Sequence, residues 1–78
     1  MKSIKVLYFA SLRESLAKAE DTIEFEEALD AGGIWQRLNP DRAIPEACLV
    51  AINQEYADLQ TCVKAGDEVA FFPPVTGG

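Results

Sequence analysis

Residues 4–9 read Ile-Lys-Val-Leu-Tyr-Phe, a run of apolar, β-branched and aromatic residues that predicts a β-strand. The single charge in this run, Lys5, marks the side of the strand that faces water. Successive side chains of a strand point to opposite faces. The predicted inward residues are Ile4, Val6 and Tyr8, and the predicted outward residues are Lys5, Leu7 and Phe9.

The last apolar run, Glu-Val-Ala-Phe-Phe at residues 68–72, predicts the final strand. It follows a turn signal at Ala65-Gly66-Asp67. Glu68 marks the wet face here, as Lys5 does in the first strand. The predicted inward residues are Val69 and Phe71, and the predicted outward residues are Ala70 and Phe72.

A helix is predicted after the first strand. Ser11 and Glu14 have the spacing of a capping box, which would open a helix that runs to about Lys18 with Leu12 and Leu16 on one face. The alternating sequence of residues 21–26 then predicts a second strand, which buries Ile23 and Phe25. The helix between the two strands is expected to exclude a hairpin that pairs them.

The second helix is predicted to begin after Asp30, a favourable N-cap residue, and to end at Asn39-Pro40. Its apolar face would consist of Ile34, Trp35 and Leu38. Gly32 and Gly33 weaken it, by roughly 1 kcal/mol each relative to alanine. Trp35 is expected to anchor the core.

The rest of the chain predicts short strands and turns. Residues 41–47 have the composition of a loop, and residues 49–53 return to strand character. A turn at Asn53-Gln54-Glu55 would lead to a short segment around Tyr56. The order β-helix-β-helix-β-β-β indicates an α+β domain with a mixed sheet and helices packed on one face, compatible with a β-grasp arrangement.

The predicted domain spans residues 1–72, and residues 73–78 are predicted to form an extended, flexible tail. The tail reads Pro-Pro-Val-Thr-Gly-Gly. Proline lacks the N–H that a sheet ladder needs and favours extended geometry, whereas glycine has no side chain. The tail therefore combines a stiff base with a slender tip.

Composition narrows the class of partner. Thirteen acidic and seven basic residues give a net charge of −6, which makes nucleic acid and anionic membranes poor partners and a basic protein surface a plausible one. Neither a membrane-spanning apolar run nor a signal-peptide core is evident, so the chain is expected in the cytoplasm. Cys48 and Cys62 are expected to be reduced, small apolar residues that are buried or half-buried, and not a zinc site.

Residues 66–78, Gly-Asp-Glu-Val-Ala-Phe-Phe-Pro-Pro-Val-Thr-Gly-Gly, closely resemble the ending of molybdopterin synthase small subunits. Residues 4–10, followed by Arg13-Glu14, resemble the first strand and the helix start of the same family. The resemblance covers nearly the whole chain in length and element order. It implies a ubiquitin-like β-grasp fold and the role of a sulfur carrier in molybdenum cofactor biosynthesis.

The resemblance places the reaction at the carboxyl group of Gly78, with Gly77 beside it. It implies an adenylating and sulfurating activating enzyme that uses ATP and Mg and converts this group to a thiocarboxylate. The thiocarboxylate would then donate sulfur to cyclic pyranopterin monophosphate in a heterotetramer with the synthase large subunit. This chain is expected to bind no cofactor or metal itself and to be a sulfur donor that is not catalytic alone.

Phe9 and Phe72 are both predicted to point outward, and the first and last strands of a β-grasp sheet pair. Their rings are therefore expected to be neighbours on a docking surface, unless a helix or loop covers them as ordinary core. Tyr56 is a weaker candidate, and Arg13 is expected to be a solvated surface residue. The predicted partner-binding residues are Phe9, Tyr56, Phe72, Pro73, Pro74, Val75 and Thr76.

Two other classes of function fit the sequence. One is a sulfur carrier of another pathway, such as the carrier for the thiamine thiazole, or a ubiquitin-like modifier. The other is a non-catalytic binding module whose acidic surface and aromatic residues recruit a protein and whose tail is inert. The residues before Gly77-Gly78 favour the molybdopterin version, because the terminal pair alone does not distinguish these classes.

Overall fold

The computed structural model describes residues 2–25, 28–44 and 48–73. In chain order the elements are β1 (Lys2–Tyr8), α1 (Ala10–Leu16), β2 (Glu20–Phe25), β3 (Leu29–Asp30), α2 (Ala31–Leu38), β4 (Leu49–Ile52), β5 (Glu55–Ala57), β6 (Cys62–Val63) and β7 (Glu68–Phe72). Across these residues, both helices are too short and too polar to cross a membrane.

Five strands form one mixed sheet in the order β2-β1-β7-β4-β5. The central pair, β1 and β7, is parallel and aligns Val6 with Val69 and Tyr8 with Phe71, while the other neighbours are antiparallel. A separate two-stranded sheet joins β3 to β6 and was not predicted from the sequence. This topology confirms the predicted β-grasp arrangement.

The core lies between one face of the sheet and the two helices. It contains the predicted inward residues of β1 and β7 together with Leu12 of α1 and Ile34 and Trp35 of α2. The rings of Tyr8 and Trp35 pack against Phe71 with centroid distances of 6.1 and 5.2 Å. Trp35 also donates a hydrogen bond of 2.8 Å to the carbonyl of Arg42, which fixes the chain that follows α2.

The hydroxyl group of Tyr8 is the polar element of this core. It donates to the carboxylate of Asp21 at 3.0 Å and accepts from the buried side-chain amide of Asn39 at 3.2 Å. Burial raises the pKa of Tyr8 to about 12; the hydrogen bond from Asn39 acts against this rise, and Asp21 adds to it. Lys18 forms an ion pair with Asp21 at 2.7 Å. The network ties the end of α2 to β1 and β2.

Asp30 caps α2 as predicted. Its carboxylate accepts a hydrogen bond of 2.7 Å from the backbone N–H of Gly33. A Cβ atom at Gly33 would lie only 3.1 Å from that carboxylate oxygen, so the glycine that weakens the helix also leaves room for its cap. The N–H of Gly32 donates to the carbonyl of Leu59 at 2.9 Å.

The predicted capping box of α1 is wrong. Phe9 is the N-cap, no side chain caps the helix, and Ser11 already lies inside it. The reason is that β1 passes directly into the helix through Ala10, which turns the chain with a φ of 54°. The helix also ends before Lys18, because Ala17 adopts the left-handed conformation and its N–H bonds to the carbonyl of Glu14.

The expectation that α1 excludes pairing between the first two strands is also wrong. β1 and β2 pair antiparallel, with Ile4 opposite Ile23. The short helix and the reversal at Ala17 bring the chain back, so that the N–H of Tyr8 donates to the carbonyl of Ala19 at 2.9 Å. Ile23 is buried as predicted, and the side chain of Phe25 lies outside the part that the structure describes.

The turn between β4 and β5 is held by hydrogen bonds to the side chain of Asp67, which precedes β7, and to the backbone of Glu68, the first residue of β7. Asn53 and Gln54 form the turn with positive φ values of 53° and 70°. Asn53 donates to the carboxylate of Asp67 at 2.9 Å and accepts from the N–H of Glu68 at 3.0 Å. The carboxylate of Asp67 also accepts a hydrogen bond from the backbone N–H of Lys64. The bond from Asn53, and after it the bond from Lys64, lowers the pKa of Asp67.

Candidate functional site

The sheet face opposite the helices carries apolar side chains that no described part of the chain buries completely. Strand register places these residues together, since Leu7 aligns with Ala70, Leu49 with Phe72, and Ala51 with both Ala70 and Tyr56. We call this set the outer sheet face: Leu7, Phe9, Leu49, Ala51, Tyr56, Ala70 and Phe72. Its large exposed members are Phe9 and Tyr56, with 46% and 76% of their surface accessible.

Three aromatic rings form the centre of the outer sheet face. Phe72 lies between the other two, 6.4 Å from the centroid of Phe9 and 5.8 Å from that of Tyr56. The predicted proximity of Phe9 and Phe72 is therefore confirmed. Tyr56 joins them because the β4–β5 hairpin places β5 at the edge of the same sheet. Aromatic residues grouped in this way are typical of protein-binding surfaces.

Backbone geometry fixes the position of Phe9. Its N–H donates to the carbonyl of Phe71 at 3.1 Å, which extends the pairing of β1 and β7 by one residue. The positive φ of Ala10 then turns the chain toward the helical side. Left-handed geometry costs a non-glycine residue about 1–2 kcal/mol. Phe9 thus remains on the outer sheet face while the next residue leaves it.

Charged residues border the outer sheet face at the β1–β2 side. Lys5 and Glu20 form an ion pair at 3.5 Å with both side chains more than half exposed. A pair this exposed contributes at most about 1 kcal/mol to stability. An apolar centre with a polar rim is the pattern of a protein interface and not of an enclosed substrate pocket.

The tail begins at the edge of this surface. Pro73 follows Phe72 directly and is half-buried. The structure therefore brings together four of the predicted site residues, Phe9, Tyr56, Phe72 and Pro73. The other five, residues 74–78, lie outside the described residues. The functional roles of all nine residues stay predictions.

The remaining candidates lie away from the outer sheet face. Arg13 is exposed, as predicted. Cys48 is half-buried, and burial raises the pKa of its thiol, which disfavours the reactive thiolate. Cys62 is exposed on the two-residue strand β6, so its predicted burial is wrong. Strand β6 was not predicted, because two residues are too few to show a periodicity.

Comparison with known proteins gives full-length relatives. The molybdopterin synthase sulfur carrier subunit of Haemophilus influenzae is 39% identical to this chain, over 96% of this chain and 99% of the relative. The subunit of the same name from Escherichia coli is 40% identical, again over 96% and 99% of the two chains.

Solved structures agree with this result. SAMP1 of Haloferax volcanii superposes with a TM-score of 0.78 at 27% identity, over 97% of this chain and 99% of that chain. A chain of the complex of subunits 1 and 2 of the molybdopterin-converting factor from Helicobacter pylori has a TM-score of 0.67 at 25% identity, with the same coverage. The ThiS family pattern matches residues 6–78. The chain therefore belongs to the ThiS family, and within it to the molybdopterin synthase sulfur carrier subunits.

Proposed function

We propose that this chain carries sulfur on the carboxyl group of Gly78 and delivers it within a molybdopterin synthase. An activating enzyme would join the carboxylate to AMP at the expense of ATP and Mg, with release of pyrophosphate. A sulfide-level nucleophile would then displace AMP and leave a thiocarboxylate. The proposed acceptor of that sulfur is cyclic pyranopterin monophosphate.

The chemistry explains why the carboxylate needs activation. A free carboxylate is a poor electrophile, whereas a mixed anhydride with AMP has a good leaving group. The thiocarboxylate that forms is ionised and nucleophilic at neutral pH. A terminal glycine has no Cβ atom to collide with an active-site wall at the reacting carbon.

The observation that carries the proposal is the position of the outer sheet face beside the start of the tail. A carrier must dock on a larger protein and extend its reacting group into that protein's active site. Phe72 is the centre of the three-ring cluster and the residue directly before Pro73. Docking on these rings would therefore hold the base of the tail at the partner surface and raise the effective concentration of the thiocarboxylate there.

The proposed partner is the synthase large subunit. The Helicobacter pylori relative was solved as a complex of subunits 1 and 2 of the molybdopterin-converting factor, which supports this assignment. The net charge of −6 favours a partner with a basic surface. The acid–base groups and the pterin pocket are assigned to that partner, because this sequence has no histidine and no glycine-rich phosphate loop.

Reconstitution tests the proposal. The chain would be thiocarboxylated at Gly78, mixed with the large subunit from the same organism, and supplied with cyclic pyranopterin monophosphate. Formation of the dithiolene product, with an unthiolated chain as the control, is the expected result. Tight complex formation without product would rule out the sulfur-transfer role.

A ubiquitin-like modifier is the second candidate function. It is favoured by the TM-score of 0.78 to SAMP1, which is the small archaeal modifier protein 1 of Haloferax volcanii. In that case the adenylated Gly78 would react with a lysine amine of another protein, forming an amide bond and releasing AMP. Digestion of whole-cell protein followed by mass spectrometry distinguishes the two. Lysines that carry the chain's carboxyl-terminal residues indicate a modifier, whereas a thiocarboxylate without such lysines indicates a sulfur carrier.

Two further alternatives, a carrier for the thiamine thiazole and a non-catalytic binding module, can be distinguished by genetic complementation. A carrier for the thiamine thiazole would rescue growth of a thiazole-requiring strain that lacks its own carrier, and a molybdopterin carrier would restore activity of molybdenum enzymes. A non-catalytic binding module would do neither. Complementation of both strains with this chain therefore separates the pathways.

A further inference from the structure

Strand β2 (Glu20–Phe25) is one of the two edges of the five-stranded sheet. Within the described residues, it pairs with β1 on one side, and no strand pairs with its other side. The backbone N–H and C=O groups on the unpaired side of an edge strand can bind an extended segment of another protein. The other edge of the sheet, β5, has three residues, whereas β2 has six.

The hydrogen-bond pattern identifies which backbone groups of β2 face outward. The N–H of Tyr8 donates to the carbonyl of Ala19 at 2.9 Å, in register with the pairing of β1 and β2. Residues that bond across an antiparallel pair alternate with residues that do not, so every second residue counted from Ala19 faces β1. The backbone groups of the residues between them point to the free edge. These free-edge residues are Glu20, Thr22 and Glu24, and all three are exposed.

The opposite edge of the sheet offers less to an added strand. The turn that joins β4 to β5 pairs Ile52 with Glu55. By the same alternation, Tyr56 is the one residue of β5 whose backbone groups point outward. Strand β2 is therefore the edge at which an added strand gains a continuous ladder of hydrogen bonds.

The side chains of β2 also alternate between the two faces of the sheet. Ile23 lies in the core, so the three free-edge residues point to the side of the sheet that is opposite the helices. The carboxylate of Glu20 forms the exposed ion pair with Lys5, and Glu24 takes part in neither of the two ion pairs of the described residues. A segment bound at this edge would place alternate side chains beside the free-edge residues and the others beside Ile23.

We infer that the free edge of β2 binds an extended segment of another protein in which cationic and apolar residues alternate. Backbone hydrogen bonds to the free-edge residues supply the affinity, and the alternate side chains supply the preference for sequence. Cationic residues lie opposite Glu20 and Glu24, because opposite charges on directly paired residues stabilise a sheet. An apolar residue lies opposite Ile23 and extends the cover of the core.

Charge argues against a second copy of this chain as the occupant. Two β2 strands paired antiparallel about Thr22 would set Glu20 of each copy opposite Glu24 of the other. Like charges directly opposite each other are destabilising, and each copy carries a net charge of −6. The charged side chains that protect this edge from self-association therefore favour a cationic strand.

The free edge of β2 is separate from the aromatic centre of the outer sheet face. The three rings belong to Phe9, Tyr56 and Phe72, and β2 contributes no residue to them. The inference therefore goes beyond sulfur delivery and does not depend on docking at the three rings.

The test uses the full chain and a capped peptide, acetyl-Lys-Val-Thr-Val-Lys-amide. A nuclear magnetic resonance titration gives the dissociation constant and locates the peptide from shifts of the backbone amides. We expect the shifts, and slower amide hydrogen exchange, to centre on the free-edge residues. The analogue with glutamate in place of both lysines should bind at least about fivefold more weakly.

N-methylated peptides test the backbone contacts without any change in the chain. In a strand added antiparallel, the N–H groups of the threonine and the two lysines face β2, and those of the valines face away. Methylation of the first set should abolish binding. Methylation of the two valine nitrogens should leave the dissociation constant within about twofold, because these nitrogens donate no hydrogen bond to β2.

Variants of the chain provide the reciprocal test. Thr22→Pro removes an outward N–H at an edge position where proline is tolerated, and Thr22→Val keeps that N–H. The proline variant should bind the lysine peptide at least about fivefold more weakly, and the valine variant should bind within about twofold of wild type. Glu20→Gln with Glu24→Gln should weaken binding about two- to fivefold for each carboxylate. Circular dichroism melts establish that each variant is folded, and the N-methylated peptides keep the test valid if the proline variant is not.

Three results would overturn the inference. The first is absence of binding by the lysine peptide, or amide shifts that centre on β5 or on the three rings. The second is equal binding by the two N-methylated peptides. The third is a dimer of the chain alone in sedimentation equilibrium with protected amides at the free-edge residues, which would assign this edge to a second copy.

Discussion

Phe71 and Phe72 are consecutive residues of β7 whose side chains point to opposite faces of the sheet. Phe71 is fully buried and packs against Tyr8 and Trp35. Phe72 is half-buried on the outer sheet face, between Phe9 and Tyr56. Truncation of each residue to alanine should therefore affect a different property of the protein.

The expected magnitudes differ in the free domain. Phe71→Ala should lower the free energy of unfolding by about 3–5 kcal/mol. That is a large part of the roughly 4–12 kcal/mol expected for 78 residues. Phe72→Ala removes mainly cross-strand contacts, which contribute about 0.2–1 kcal/mol each. Its binding energy should fall by about 2 kcal/mol or more, which corresponds to roughly a 30-fold increase in Kd.

The assay combines urea melts of the free chain with calorimetric titration of the large subunit. Phe71→Leu keeps most of the apolar volume and serves as a folded form of the Phe71 variant. Thr22→Ala, an exposed residue that lies opposite Lys5 on the same sheet face, is the control for binding. The strand assignment is refuted if Phe72→Ala unfolds the domain while Phe71→Ala leaves it stable and merely weakens binding.

Three further predictions concern titration and the tail. The pKa of Tyr8 is raised to about 12, so the folded state holds this proton more tightly and stability should fall by about 2–3 kcal/mol between pH 10 and 12. Urea melts should show this slope and Tyr8→Phe should lack it; equal slopes would contradict the buried hydroxyl. The pKa of Asp67 is lowered, so its contribution is present above the ordinary carboxyl pKa and is lost as pH falls through the folded value. Acid melts of Asp67→Asn should show a shallower loss than wild type, and an identical loss would assign the acid sensitivity to other groups. Removal of Gly78, or addition of any residue after it, should abolish sulfur transfer with an unchanged melting temperature, and full activity of a tagged chain would argue against a reacting terminal carboxyl.

The sheet faces were predictable because single charges mark them. Lys5 and Glu68 each identify the wet face of a strand, and alternation then assigns every other residue of that strand. The structure agrees at Tyr8 and Phe71, which are buried, and at Phe72, which lies outward. The pairing of β1 with β7 was expected from the β-grasp arrangement and not from the pattern of residues, and its parallel sense was not predicted.

The errors have one physical origin: tertiary contacts overrode local signals. Ser11 and Glu14 have capping spacing, but the strand continues to Phe9 and the helix begins before a serine cap is available. The left-handed residues Ala10 and Ala17 gave no sequence signal, because alanine usually avoids that conformation. The favourable free energy of sheet pairing offsets the backbone strain at Ala10 and Ala17.

The polar contacts of the core were also beyond sequence patterns. Asn39 was interpreted only as the end of a helix, yet its amide bonds to the hydroxyl of Tyr8 across 31 positions of the chain. The proximity of Tyr56 to Phe72 likewise depends on the β4–β5 hairpin and its positive-φ turn. Such contacts depend on the packed arrangement of several elements, which no local periodicity records.

The central claim is that the carboxyl group of Gly78 carries sulfur, and intact-mass spectrometry of the chain purified from its own cells tests it most directly. Cells should be grown under conditions that require molybdenum enzymes, and the chain isolated without a carboxyl-terminal tag. The account predicts a population in which one oxygen at Gly78 is replaced by one sulfur, and its disappearance when the activating enzyme is deleted. A terminus that remains an unmodified carboxylate under these conditions would contradict the account.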